Sequence, residues 1–98
     1  MQVIISWRHC EPLKPIEEYI NKKIVNIEKF SPRISKSTII IIKEGARNVV
    51  ELKLTIDKAP SFLVKEQSYN IRQAIDSCIA KAERKIKEYE NKVRRKKV

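Results

Sequence analysis

Apolar residues recur along this chain with two periods, two and about 3.6, and the switches between them mark out its elements. Residues 2–7 (QVIISW) are short, β-branched and aromatic, the composition of a strand. A helix follows, and Pro12 and Pro15 suit its entry because proline is tolerated in a first turn. Leu13, Ile16, Ile20, Ile24, Ile27 and Phe30 then share one face at three- and four-residue steps. Pro32 is expected to stop this helix, since it cannot continue the hydrogen-bond ladder.

Residues 38–44 (TIIIIKE) read as a central strand, and residues 44–48 hold the only glycine and read as a hairpin connection. In residues 49–57 (VVELKLTID) the alternation is clean: Val50, Leu52, Leu54 and Ile56 point one way, Glu51, Lys53, Thr55 and Asp57 the other. The sheet therefore buries one face and wets the other. Lys58-Ala59-Pro60 breaks the strand, and residues 61–67 (SFLVKEQ) supply a fourth, with Phe62 and Val64 inward. From about Ser68 the period becomes helical. Ile71, Ile75, Cys78, Ala82, Ile86, Tyr89 and Val93 form a long apolar seam whose last turns are expected to overrun the sheet.

The order β-α-β-β-β-α predicts an α+β fold, a four-stranded sheet with both helices packed on its apolar face. Residues 1–98 read as one domain, with a basic tail over about 94–98. The outer sides of the two helices are expected to be exposed together.

Charge changes the picture from fold to partner. There are 22 Lys+Arg against 12 Asp+Glu, a formal net charge of +10. Residues 1–67 hold 12 basic and 8 acidic side chains, a net of +4; residues 68–98 hold 10 and 4, a net of +6. A basic pI can serve solubility alone, but this unevenness favours a polyanionic partner. The apolar fraction of 42% belongs to a folded protein.

On a helical wheel, at roughly 100° per residue, Lys81, Arg84, Lys85, Lys92 and Arg95 flank the seam of the second helix on one side. Asp76, Glu83 and Glu90 flank it on the other. The first helix repeats the separation, Lys22 and Lys29 against Glu17 and Glu28, with Lys23 near the seam. Glu88 interrupts the basic stripe, and Arg72 and Lys87 fall on the acidic side. Cations at i, i+3 and i+4 make a ridge that tracks phosphates without reading sequence. The plainer reading is a solvated helix face laced with pairs such as Glu18–Lys22. Arg8 and His9, placed after the first strand, are further candidates for RNA contact, and Arg94 with Arg95 extends the stripe.

Other chemistries find little support. His9 is the only histidine, and no nucleophile pair, glycine-rich phosphate loop or metal-ligand cluster stands out, so no catalytic residue, metal or cofactor is expected. Trp7 and Phe62 read as core or core-edge residues, and six aromatics are few for a base-stacking sheet. Cys10 and Cys78 do not form a disulfide framework, and Cys78 falls on the apolar helical face. No apolar run nears the ~18 residues of a membrane span, and MQVIISWRHC does not resemble a secretory signal. A cytoplasmic location is expected.

The chain resembles the ribosome hibernation-promoting factors, or ribosome-associated inhibitors, in their short single-domain form. The resemblance covers essentially the whole length. It runs through Glu11, Glu18-Tyr19-Ile20, Lys23, Ile27-Glu28-Lys29-Phe30 and Arg33-Ile34. It continues in Ala74-Ile75-Asp76, Ile79, Lys81, Arg84, Ile86 and Lys92. It implies a fold like that of double-stranded-RNA-binding domains, and binding to the small ribosomal subunit in the decoding region. There, by the same resemblance, the protein overlaps the mRNA and tRNA paths and keeps idle ribosomes inactive as a monomer. Positions that keep the family's basic pattern are Lys23, Lys29, Lys81, Arg84, Lys92 and Arg94. Trp7 replaces a usual glycine, Arg72 a common tyrosine, and Glu88 and Glu90 stand where basic residues are frequent. Pro15 is also unusual. Two alternatives stay open: a general binder of structured or double-stranded RNA, and an interaction domain for an acidic protein.

Overall fold

The computed structural model describes the backbone of residues 1–95 and side chains as far as Lys92. The order is β1 (Gln2–Arg8), α1 (Lys14–Glu28), β2 (Ile34–Glu44), β3 (Arg47–Ile56), β4 (Phe62–Ser68) and α2 (Ile71–Arg95). The strands lie in the order β1-β2-β3-β4. β1 runs parallel to β2, joined through α1, and the remaining pairs are antiparallel. This is the predicted α+β architecture.

Register explains which face is dry. Ile5 sits beside Ile39, Ile39 beside Leu52, and Leu52 beside Val64, so one row of apolar side chains crosses all four strands. Trp7, Ile41 and Val50 make the next row. Ile39, Ile41, Val50, Leu52, Leu54 and Val64 are buried against Ile20, Ile24 and Ile27 of α1 and Ile75, Cys78, Ala82 and Ile86 of α2. The alternation predicted for β3 holds, with Val50, Leu52, Leu54 and Ile56 all inward. The outer face is less uniform than expected. Val49 is buried there beside the half-buried Ile42, while Lys53 and Lys65 remain exposed.

Several boundaries differ from the sequence pattern, each for a local reason. α1 ends at Glu28, well before Pro32, because Lys29 and Phe30 close a tight turn on the carbonyls of Asn26 and Ile27. Leu13 does not join the buried face of α1. It is the extended residue ahead of the helix, 50% exposed. β2 begins at Ile34, four residues before the apolar run, since an irregularity after Ile34 turns Ser37 into the core beneath Met1. Arg8 is the last residue of β1 instead of following it, and His9 adopts φ 59 at the turn.

Ser68 belongs to β4, and α2 starts only at Ile71. Asn70 caps it, its side-chain oxygen accepting the Gln73 N–H at 3.2 Å. The Asn48 amide donates to the carbonyls of Ser68 and Tyr69 and ties this link to β3. The β2–β3 hairpin turns at Gly45, whose φ of +60 is left-handed while nothing lies within 4 Å of an added Cβ. Glycine is needed there for the backbone, not for space.

The two helices run in the same direction. Tyr19 meets Asp76, Phe30 lies under Lys87, and Ser31 meets Glu90. The seam of α2 is wider than predicted, since Ala74 and Ile79 are buried beside it. Its burial falls away after Ile86, as expected for turns that overrun the sheet; Val93 lies outside the described side chains.

Burial pushes the Cys78 thiol up to about 12 from its ordinary value of 9.0, with Glu66 adding to the rise. Its Sγ is within 3.7 Å of the Val50 carbonyl and 3.6 Å of the Val64 carbonyl. The unfolded thiol loses its proton first, so this group's contribution to stability is full below pH 9 and is lost as pH rises towards 12. A thiolate-seeking reagent at pH 8 should therefore label only the half-buried Cys10 in the native protein, and both cysteines in denaturant. Ile20 has no exposed surface. Ile20→Ala should cost about 2–5 kcal/mol in urea unfolding, through lost transfer energy and the cavity left behind.

Candidate nucleic-acid interface

The sheet fixes the roll of each helix, and so decides where its charges go. With Ile16, Ile20, Ile24 and Ile27 against the sheet, Lys22 stands on the outer crest of α1, and Lys29, at its C-cap, continues that side. The acidic flank of α1 turns towards β1: Glu17 accepts the Trp7 indole N–H at 2.9 Å, and Glu28 lies 3.1 Å from the α-ammonium of Met1. The opposite flank, bearing Tyr19, Lys23, Asn26 and Phe30, faces α2.

On α2 it is the acidic flank that faces α1. Asp76, Ile79, Ala80 and Glu83 line a groove with Lys23 and Asn26. Tyr19 donates its hydroxyl to Asp76 at 2.5 Å, and Lys23 and Arg72 lie 5.6 and 5.4 Å from its ring centre. The Asp76 hydrogen bond is the main reason the Tyr19 phenol is raised above its ordinary value. Lys23 is exposed, yet it borders carboxylates instead of an open basic face.

The basic flank of α2 lies on the far side, against β4. Lys81 reaches Glu66, 2.7 Å away. Glu66 is on the inner face of β4, the same face as Val64, and is 26% exposed. Lys85 and Lys92 flank a surface hollow with Phe62, Glu88 and Tyr89, while Arg84 stands on the outer crest. The structure thus brings Lys81, Lys85 and Lys92 together along one edge and Lys22 and Lys29 together on α1 and its C-cap. An interhelical groove of mixed charge separates the two sets. Opposite signs line that groove: Asp76 accepts the Tyr19 hydroxyl, and Glu83 shares the groove wall with Lys23.

Among the described residues, Lys22, Lys29, Arg84, Lys85 and Lys92 form no ion pair, and no Glu18–Lys22 pair is made. Arg8 and His9 are exposed at the opposite end of the molecule from Lys29 and Lys92, since both helices run away from the end of β1. The side chains of Arg94 and Arg95, and all of residues 96–98, lie outside the described residues.

The helical wheel places Glu90 on the acidic flank of α2, and the family resemblance marks it as a departure where basic residues are frequent. It is a structural hub. Ser31, 1% exposed, donates to Glu90 Oε1 at 2.7 Å, and Arg33 Nη2 lies 3.1 Å from Oε2 and 5.7 Å from the Tyr89 ring centre (measured from its guanidinium carbon). These contacts fasten the loop between α1 and β2 to the end of α2. Arg72, a basic residue on the acidic side of the wheel and a departure from the family pattern, lies over the Tyr19 ring. A wheel drawn for one helix cannot reveal either, because both partners come from elsewhere in the chain.

Among the described residues no group of three His, Cys, Asp or Glu side chains converges as a metal site, and no helix is long and apolar enough to cross a membrane.

Comparison with known proteins gives this architecture its kin. Two ribosome hibernation promoting factors from Pseudomonas putida are each 27% identical over 92 residues, covering 94% of this chain and 89% of theirs. A ribosomal subunit interface protein from Coxiella burnetii superposes with a TM-score of 0.86 at 16% identity, over 93% of this chain and 99% of that one. The N-terminal domain of Thermus thermophilus Protein Y gives 0.82 at 17% identity, over 91% and 99%. These two superpositions speak for the fold. A family model described as sigma 54 modulation protein / S30EA ribosomal protein matches residues 3–94, and the chain belongs to that family.

Proposed function

We propose that this protein binds the small ribosomal subunit in the decoding region and holds idle ribosomes inactive by occupying the mRNA and tRNA paths. On this reading it acts in the cytoplasm as a monomer, through steric occlusion, and catalyses no reaction. The observation that carries it is the set of exposed cations without acidic partners among the described residues: Lys22 on α1 and Lys29 at its C-cap, Arg84, Lys85 and Lys92 on α2. Such cations exchange counterions for phosphate at little structural cost, because no ion pair must first be broken. The relatives named as ribosome hibernation promoting factors and as a ribosomal subunit interface protein support the choice of polyanion.

The ridge is not uniform. Lys81 must leave Glu66 before it can engage a phosphate, although a partly exposed pair of this kind contributes only about 0–1 kcal/mol. A Lys81→Glu change would set two carboxylates against each other and confuse binding with folding. Arg84 and Lys85 avoid this difficulty.

Cosedimentation with purified small subunits, compared with binding to free RNA duplex, tests the assignment. Wild-type protein should prefer the subunit and inhibit in vitro translation, and equal affinity for both RNAs would point to a general RNA binder. Arg84→Glu with Lys85→Glu should leave the melting temperature nearly unchanged. It should lower the slope of log affinity against log salt by about 2, one for each phosphate contact removed.

A further inference from the structure

The hollow on the β4 side of α2 has a composition that a plain phosphate ridge does not need. Its lining is Phe62, Lys85, Glu88, Tyr89 and Lys92. Phe62 and Tyr89 are half-buried and meet edge to face, ring centroids 5.5 Å apart and planes inclined by 75°. This contact, with Arg33 on the Tyr89 ring, holds both aromatics in place before any ligand arrives. Lys85 and Lys92 are exposed and two turns apart, roughly 10 Å along the helix axis. Glu88 stands between them in sequence.

We infer that this hollow, with Phe62 and Tyr89 as its floor and Lys85 and Lys92 at its sides, is a pocket for one unpaired RNA nucleotide. The identity of the polymer rests on the ribosome-binding reading above; the preference for an unpaired base rests on the aromatic floor. A base in a duplex has both faces covered by its neighbours, whereas an unstacked base offers a π-face to an aromatic side chain. The two lysines then hold the phosphates on either side of that nucleotide. Glu88 has no role in gripping a polyanion, but its carboxylate accepts a hydrogen bond from a base amino group. The pocket therefore favours cytosine over uracil, whose corresponding edge carries a carbonyl.

Fluorescence anisotropy with labelled single-stranded oligocytidine, oligouridine and an RNA duplex tests this. Phe62→Leu keeps an apolar side chain against the core but removes the ring. It should weaken oligocytidine binding about tenfold and leave duplex binding within about twofold. Glu88→Ala, at an exposed position, should erase a preference for oligocytidine over oligouridine of about fivefold in the wild type. Equal losses on single strand and duplex, no loss on either, or a base preference untouched by Glu88→Ala would each overturn the pocket. If Phe62→Leu lowers the melting temperature too far to be used, Glu88→Ala decides the matter alone. Cosedimentation of the wild type with small subunits, run alongside, separates the two readings. A wild type that ignores subunits while both variants behave as expected removes the ribosome and keeps the pocket; the reverse pattern does the opposite.

Discussion

Burial of one sheet face beneath two helices orients everything else in this protein. The row Ile5, Ile39, Leu52 and Val64 presents a continuous apolar surface, and Ile20, Ile24, Ile75 and Ile86 cover it. A helix that must place four isoleucines on that surface has no freedom to roll. Each remaining side chain is thereby assigned to the crest, to the interhelical groove or to the outer edge. Side-chain packing at crystal-like density makes this assignment stiff, so charges tens of residues apart in sequence hold fixed positions relative to one another.

The electrostatic layout follows from that roll. Because α1 and α2 run in the same direction, their facing flanks meet in register, and carboxylates of α2 lie opposite Tyr19, Lys23 and Ser31 of α1 and its following loop. These contacts engage Asp76 and Glu90 of the acidic flank. The basic flank is left outward along β4, where, among the described residues, only Lys81 pairs with a carboxylate. A net charge of +10 is thus distributed with Glu17, Glu28, Glu51, Glu66, Asp76 and Glu90 engaged in internal contacts and many of its basic members facing solvent. Self-repulsion among those exposed cations favours a partner that supplies phosphates.

Two departures from the family pattern acquire physical roles in this arrangement. Glu90 holds Ser31 and Arg33, so its carboxylate serves the entry to β2. The same contacts brace Tyr89, which in turn braces Phe62. Trp7, near the end of β1 and expected from the resemblance to replace a glycine, sends its indole N–H to Glu17 and ties β1 to the first turn of α1. The proposed nucleotide pocket and the internal latch are therefore parts of one contact chain.

Much of the fold was legible in the chain itself. Period-two alternation in β3, isoleucines at helical spacing in α1 and the long seam of α2 identified the elements and their buried faces, because burial demands that periodicity. Boundaries were less legible where polar residues enter the sheet, as at Ser37, or where a cap overrides a period, as at Asn70. The sign separation on each helix was also legible, since a wheel needs only local geometry. Whether the two basic flanks would face the same way was not. That depended on the parallel course of the helices, the roll imposed by the sheet and the partners Glu66, Tyr19, Ser31 and Arg33 found across the fold. The sequence by itself determined which residues could be buried and which carry charge; the tertiary structure decided which charges meet, because long-range contacts are set by packing and not by spacing along the chain.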